Sequence, residues 1–234
     1  MSLTDLPLRR RRKEARPQEL LDAALELFVE KGFASTRAEE VATRAGVSKG
    51  TLYLYYPSKE DLLKAVIKKN LSERLAAGAA RAADFDGSAT DLARSLLVDW
   101  WTQIYDDPAA AVFKLVITEA RNFPEIAEFY AQEVITPAHA LMTSIIQRGI
   151  DRGEFRPLDT SVAMHSLILP LIMVCLHKHS IGACSETPAL FDGPTFIREH
   201  VDLVLAGMAA GAPNPVVHTP AALPAAPVRD RSPK

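Results

Sequence analysis

Apolar side chains recur every three to four residues along most of the chain, and the alternating patterns typical of strands are scarce. The first clear helical stretch runs from about Arg16 to Lys31, and Gly32 behind it suits a left-handed stop. Its apolar positions are Leu20, Leu21, Ala24, Leu25, Leu27 and Phe28. The pattern predicts an all-α protein of about nine helices.

Two short helices and a longer one, which continues towards Ala80, are predicted next, each with its own cap. Residues 36–39 read Thr-Arg-Ala-Glu, a capping box that begins a second helix ending at Gly46. Ser48 can cap a third helix that reaches about Tyr55, and Ser58 begins the fourth.

The rest of the chain is predicted to hold five longer helices separated by Gly, Pro and Ser. They span about 88–105, 108–122, 124–152, 160–179 and 195–210. Beyond Gly211 there are six prolines in 23 residues, a composition typical of a disordered tail.

The charge distribution is asymmetric although the net charge is only −2. Residues 1–70 hold 14 Lys and Arg against 10 Asp and Glu, whereas residues 71–234 hold 13 against 19. A basic first part on an acidic remainder indicates an anionic partner at one end, although an ordinary solvated surface fits the same numbers.

Cysteine usage and hydropathy predict a cytoplasmic protein. Only Cys175 and Cys184 are present, which suits a reducing compartment, and the first residues lack the apolar run of a secretory signal. Residues 160–177 carry no Asp, Glu, Lys or Arg over 18 positions, just long enough to cross a bilayer. Because this stretch includes polar residues and Pro170, a buried or interface helix is the favoured interpretation.

The sequence offers no convincing catalytic or metal-binding constellation. Cys175 and His179 share a helix face, but His177 between them points roughly opposite, so the group predicts no metal site. The sequence contains no Gly-rich phosphate loop, nucleophile elbow or His-Glu zinc motif, and an enzyme is therefore not expected.

Helices two and three are separated by Ala45-Gly46-Val47-Ser48. A tight turn with glycine at the bend is what a helix-turn-helix needs, because the second helix must be presented outward to the major groove. Residues 48–56 read Ser-Lys-Gly-Thr-Leu-Tyr-Leu-Tyr-Tyr, which combines hydroxyl donors, one cation and a glycine that lets the backbone approach a phosphate. A surface helix with some aromatic packing is the alternative.

Residues from about 18 to 67 closely resemble the DNA-binding domain of the TetR/AcrR family of bacterial regulators. The resemblance is carried by Ala23–Phe28, Lys31–Phe33, Ser35-Thr36, Val41-Ala42, Ala45–Tyr53 and Tyr56–Leu62. It implies a homodimeric, cytoplasmic and nucleoid-associated transcriptional repressor without a cofactor. Such a protein binds a palindromic DNA operator and is released when a small apolar ligand binds its C-terminal domain.

The resemblance also implies which residues contact DNA. Thr36 would bond a phosphate at the start of the second helix, and Lys59 would bind another at the start of the fourth, where the helix dipole favours an anion. The groove and its flanking phosphates would be faced by Ser48, Lys49, Gly50, Thr51, Tyr53, Leu54 and Tyr55.

Two parts of this DNA-binding prediction stay open. Leu54 stands where the family usually has an aromatic or polar residue, and it either contacts a thymine methyl group or turns inward. Arg11 and Arg12 belong to a basic run before the first helix, which either enters a narrow minor groove or stays a solvated tail.

In this family the C-terminal half dimerises and binds a small molecule. The last two helices would pair with those of a second subunit, burying the apolar stretch 162–176 and the face of Phe196, Val201, Leu203, Val204 and Met208. The predicted ligand pocket is lined by Trp100, Trp101, Tyr105, Phe113, Ile117, Phe123, Tyr130, His139 and Met142. Pro137 and Pro170 would free the carbonyls of Glu133 and Ser166 as polar points. Ordinary core packing is the alternative for each residue.

Taken together, these features predict four parts. They are a flexible basic arm at 1–15, a helix-turn-helix domain at 16–62, a helical effector-binding and dimerisation domain at 63–211, and a Pro/Ala-rich tail at 212–234. A helical ligand-binding protein that does not read DNA, and an enzyme built on a helical bundle, are the alternatives.

Overall fold

The computed structural model describes residues 6–184 and 191–211, with side chains from residue 16 onwards. The predicted tail at 212–234 lies outside the described residues. The helices are α1 (Leu6–Lys31), α2 (Ala38–Arg44), α3 (Lys49–Tyr55), α4 (Lys59–Ile67), α5 (Glu73–Ala83), α6 (Ala89–Asp106), α7 (Ala111–Glu119), α8 (Pro124–Tyr130), α9 (Thr136–Asp151), α10 (Thr160–His179), α11 (Ile181–Cys184) and α12 (Gly193–Met208).

Two π-helical segments join neighbouring helices without a break. Lys68–Ser72 connects α4 to α5, and Ala131–Ile135 connects α8 to α9; a 3₁₀ turn, Pro108–Ala110, leads into α7. With these continuous pieces joined, the described ranges hold nine helices and the single turn α11. The predicted all-α fold of about nine helices is confirmed.

The start of α1 differs from the prediction. The helix begins at Leu6 rather than near Arg16, so residues 6–15 are helical and the expectation of a flexible arm there was wrong. The segment is rich in Leu, Arg, Lys and Glu, which form helices well. Pro17 lies inside α1, where it cannot donate a backbone hydrogen bond, and the Tyr56 hydroxyl donates to its carbonyl at 3.4 Å.

The core runs continuously from the first helices into the second part of the chain. The ring of Phe33 packs edge-on against Phe28 at 5.2 Å and against Phe123, at the start of α8, at 4.9 Å. Helix α4 also contacts α8, and α1 contacts α7. A shift of α7 or α8 therefore acts directly on α1, α4 and the loop that carries Phe33.

The two prolines within long helices are accommodated in different ways. Pro137 lies two residues after the π-helical segment Ala131–Ile135, and the wider turn accommodates a residue that lacks an amide hydrogen. Pro170 leaves the Ser166 carbonyl without its helical donor, and His200 Nε2 of α12 lies 3.1 Å from that oxygen. The Ser166 carbonyl therefore links α10 to α12, and its prediction as a polar point of the ligand pocket was wrong.

Candidate DNA-contacting surface and effector cavity

The turn between α2 and α3 has the geometry that a helix-turn-helix requires. Gly46 adopts φ +68°, and the Val47 amide donates to the Ala42 carbonyl at 2.9 Å. Val47 packs on the core, and Leu52 of α3 is fully buried. These contacts fix α3 against α2 and leave its opposite face outward.

Ser48 caps α3, as predicted. Its Oγ accepts a hydrogen bond from the Thr51 amide at 3.1 Å and lies 2.9 Å from the Thr51 hydroxyl. The first intrahelical hydrogen bond runs from the Leu52 amide to the Ser48 carbonyl, so the amides of Lys49 and Gly50 precede it. The exposed start of α3 thus offers backbone donors as well as hydroxyl groups to an anion.

The outward face of α3 lies opposite Leu52. At about 100° per residue, Gly50 and Leu54 fall on that face, and Leu54 is 85% exposed, so it does not turn inward. Tyr53 is 39% exposed beside them. Tyr55 is half-buried and packs against the core, so the prediction that it faces the groove was only partly right.

Lys49 at the start of α3 forms an ion pair with Glu39 of α2. Both side chains are exposed, and their hydrogen bond raises the pKa of Lys49 and lowers the pKa of Glu39. Exposed pairs of this kind contribute little to stability. A phosphate that approaches Lys49 therefore competes with a weak intramolecular partner.

Thr36 does not form the predicted phosphate contact. The residue is 2% exposed, and its hydroxyl donates to the carbonyls of Gly32 at 2.8 Å and Leu27 at 3.2 Å. The α2 cap is Arg37, whose amide donates to the Glu40 carboxylate at 3.1 Å. The predicted capping box is therefore shifted by one residue, and Thr36 ties the loop to the end of α1.

Replacing Thr36 with valine is expected to lower the free energy of unfolding by about 1–2 kcal/mol, because two buried carbonyls lose their donor. The salt dependence of DNA binding should not change, since no phosphate contact is lost. Thermal unfolding and binding at several salt concentrations measure the two effects, with Thr36→Ser as the matched control. An unchanged melting temperature with a shallower salt dependence would restore the phosphate role.

Lys59 also has a structural role instead of the predicted one. Its Nζ donates to the carbonyls of Phe33 at 2.9 Å, Ala34 at 3.1 Å and Thr36 at 3.2 Å, and it lies 4.5 Å from the centre of the Phe33 ring. These bonds engage all three ammonium hydrogens. Arg37, at the start of α2, is a nearby exposed cation that the sequence did not point to as a phosphate contact.

A cavity of about 590 Å³ lies among α5, α6, α7, α9 and α10. Seven residues of the predicted pocket line it: Trp100, Trp101, Phe113, Ile117, Tyr130, His139 and Met142. Trp101 stacks on Phe113 with their centres 5.4 Å apart, and Trp100 packs edge-on against Trp101 at 4.8 Å. The wall is mainly apolar and aromatic, as expected of a small-molecule site.

The cavity wall carries a few uncharged polar groups and the charged residues Arg74, Arg81 and Asp99. Burial raises the pKa of Tyr130 to about 12, so its hydroxyl stays protonated and able to donate at any physiological pH. His139 of α9 and His165 of α10 lie with ring centres 6.0 Å apart, and Gln103 of α6 adds an amide. A ligand here meets mostly hydrocarbon with a small number of hydrogen-bonding points.

Two residues of the predicted pocket do not line this cavity. The Tyr105 ring lies beneath Gly193 at the start of α12, where an added Cβ would lie only 2.2 Å from it, and Lys178 lies 4.1 Å above the ring. Phe123 belongs instead to the Phe33 cluster. Aromatic residues at helical spacing fill core and cavity alike, so spacing could not separate these two from the others.

Sequence reasoning also missed part of the cavity wall. Leu75 and Gly78 of α5 and Ile168, Leu169 and Ile172 of α10 line it. The sequence predicts the apolar stretch of α10 as a buried or interface helix and assigns only the Ser166 carbonyl to the pocket. The even distribution of apolar residues around this helix was the available signal, because such a helix is covered on more than one side.

The outward face of α10 is apolar. Val162, Leu169 and Met173 are each more than half exposed, and Leu203 on the neighbouring α12 is 73% exposed. The segment Thr160–Cys184 is long and apolar enough to cross a bilayer by length and composition alone, and 33% of its most apolar 18-residue stretch is buried. An exposed apolar stripe shared by two packed helices is a candidate protein–protein interface.

The outward, N-capped α3 and the helical cavity-bearing part together define a helix-turn-helix DNA-binding protein with a helical sensor half. Residues 20–66 match the family described as bacterial regulatory proteins of the tetR family, and residues 82–183 match its tetracyclin repressor-like C-terminal domain. The chain belongs to the TetR family of transcriptional regulators. Such regulators are cytoplasmic DNA-binding proteins that act as dimers, and they are not enzymes.

Individual relatives support the same family. The transcriptional regulator RutR of Escherichia coli K12 is 31% identical over 168 residues, which cover 64% of this chain and 69% of that protein. The regulator YfiR of Bacillus subtilis is 29% identical over 149 residues, covering 63% and 71%. Among solved structures, FadR from Bacillus halodurans matches with a TM-score of 0.66 at 22% identity, over 81% of this chain and 94% of that one.

Proposed function

We propose that this protein is a repressor whose dimer binds a palindromic operator and releases it when a small apolar ligand enters the cavity. The observation that carries the proposal is α3: a capped helix, fixed through Leu52, whose opposite face is exposed and is flanked by the hydroxyl groups of Thr51 and Tyr53 and by the cation of Lys49. Such a face fits the major groove of duplex DNA.

The proposed contacts to DNA come from α3 and its surroundings. Lys49 and the exposed start of α3 approach phosphates, and Arg37 takes the part first predicted for Thr36. Arg11 and Arg12, in the basic run within α1, extend the contact. The groove-facing residues are Ser48, Gly50, Thr51, Tyr53 and Leu54. The proposed DNA-binding domain is 16–62 and the sensor domain 63–211.

The proposed dimer pairs α10 and α12 with those of a second copy. Burying the exposed stripe of Val162, Leu169 and Met173 removes apolar surface from water. A twofold dimer presents two copies of α3 to one side of the duplex, with half-sites about one helical turn or more apart, and so favours a palindrome.

The proposed effector is an apolar or amphipathic molecule. The cavity volume lies within the usual range for small-molecule sites. FadR from Bacillus subtilis, 20% identical with a TM-score of 0.66, was solved in complex with stearoyl-CoA, which supports a long apolar ligand as a first candidate. The signal would pass from Val134 and Ile135, on the cavity wall, through the contacting π-helical segment Lys68–Ser72 to α4.

The function is tested by incubating the purified protein with a random duplex DNA library and sequencing the retained molecules. We expect an enriched palindrome. Fatty acids, acyl-CoA thioesters and aromatic hydrocarbons are then screened for a compound that releases the protein from this palindrome. If folded, dimeric protein enriches no sequence at low salt, the proposal is wrong and a helical ligand-binding protein that does not read DNA is left.

A large side chain in the cavity is expected to weaken effector binding without changing operator binding. Ala138 of α9 lines the cavity, so Ala138→Trp should reduce effector affinity at least about tenfold by occupying its volume, while operator affinity stays within about twofold. Ala140→Trp, two residues away on the exposed side of α9, is the matched control and should respond normally. Titration of the operator complex with the effector measures both. An unimpaired Ala138→Trp response would place the ligand elsewhere.

A further inference from the structure

We propose that Leu54 reads the 5-methyl group of a thymine, so that each operator half-site carries a T·A pair facing α3. The inference rests on the proposed DNA binding and specifies what that surface recognises. The apolar side chain of Leu54 is exposed to solvent, and its contact with thymine would give the protein a preference for T at that position.

The surroundings of Leu54 give the side chain no partner within its own helix. It lies on the face opposite the buried Leu52, and Gly50, one turn earlier on that face, has no side chain to cover it. The charged residue of α3 is Lys49, which lies to one side and pairs with Glu39. Leu54 therefore exposes its apolar side chain, without a covering neighbour in α3, on the outward face of the helix.

The chemistry of the major groove selects the partner. Thymine alone among the four bases presents an apolar group there, and the other edges present hydrogen-bond donors or acceptors. A leucine facing those edges would remove water from them and offer no hydrogen bond in return. A thymine methyl instead buries apolar surface on both partners, so Leu54 favours T by attraction and disfavours the other bases by desolvation.

The test replaces each thymine of the selected palindrome, one symmetric pair at a time, with deoxyuridine, which lacks only the methyl group. For the unmodified protein we expect one pair whose replacement weakens binding about fourfold per half-site, the value of one buried methyl-sized group. Leu54→Ala is the comparison protein. It should bind the thymine site more weakly and show no further loss at that pair. Because Leu54 is exposed, this variant should fold and dimerise normally, as circular dichroism and sedimentation can verify.

Equal losses for both proteins at every position would overturn the proposal, since the methyl would then be sensed by another residue. Selection of a site without thymine near the centre of either half-site would overturn it as well. Both results leave the proposed regulator intact, because they require specific DNA binding. Failure to select any sequence instead rejects the proposed function itself, so the two failures are distinguishable.

Discussion

Alanine in place of Gly50 is expected to make the protein more stable and a weaker DNA binder. An added Cβ would meet one atom, Ser48 Oγ, at 3.8 Å, so the fold accepts it without strain. Removing a glycine from a helix should raise the free energy of unfolding by about 0.5–1 kcal/mol. The same methyl group would keep a DNA phosphate away from the backbone amides at the start of α3. Losing one hydrogen bond between an amide and the charged phosphate, worth about 1.5–3 kcal/mol, lowers the affinity for the operator about tenfold to a hundredfold.

Gly78→Ala is the matched control for this experiment. Gly78 also lies within a helix, and its added Cβ would likewise lie 3.8 Å from one side-chain atom, Leu96 Cδ2. It should gain similar stability and keep full operator affinity. Chemical denaturation and fluorescence anisotropy with the selected duplex measure the two quantities. If Gly50→Ala bound DNA as tightly as the parent, α3 would not approach the backbone of the duplex closely.

Glutamate in place of Met173 is expected to split the dimer and reduce operator affinity at least about a hundredfold. Met173 is 62% exposed on α10, so the monomer keeps its fold, but a carboxylate within the proposed α10–α12 interface would be buried without a partner. A monomer binds one half-site and loses the effective concentration that links the two binding events.

Sedimentation equilibrium and anisotropy test the Met173→Glu prediction, with Leu203→Glu on α12 as a second variant that should behave alike. Ala140→Glu is the matched control, because Ala140 is also exposed but lies on α9, away from both the cavity wall and the apolar stripe. It should remain dimeric and bind the operator. A dimeric Met173→Glu protein with normal affinity would show that the subunits meet through another surface.

The sequence was most informative where local chemistry decides the structure. The left-handed glycines Gly32 and Gly46 and the capping residues Ser48 and Ser58 are properties of a few neighbouring residues, and the structure has them as predicted. Long-range contacts were harder to anticipate. Nothing local indicates that Lys59 reaches back to the carbonyl of Phe33, because that contact depends on how α4 packs against the loop after α1.

In the candidate sites, too, features set by neighbouring residues were predicted and features set by long-range packing were not. An exposed α3 followed from its position after the turn, whereas the burial of Thr36 depends on the packing of the α1–α2 loop. Tyr105 and Phe123 have the residue types of a ligand pocket, but α12 and Phe33 cover them. Residues that face a cavity are distinguished from residues that fill a core only by the arrangement of all the surrounding helices.

The π-helical segment between α4 and α5 determines which side chains of α5 face the cavity. Each π-turn holds about one residue more than an α-turn, and one residue rotates a helix by about 100°. Deleting a residue from Lys68–Ser72 would turn Leu75 and Gly78 away from the cavity and bring other α5 side chains towards it. A single-codon deletion or insertion here could therefore give descendants of this gene a new ligand preference in one step, without any change in the helix that faces DNA.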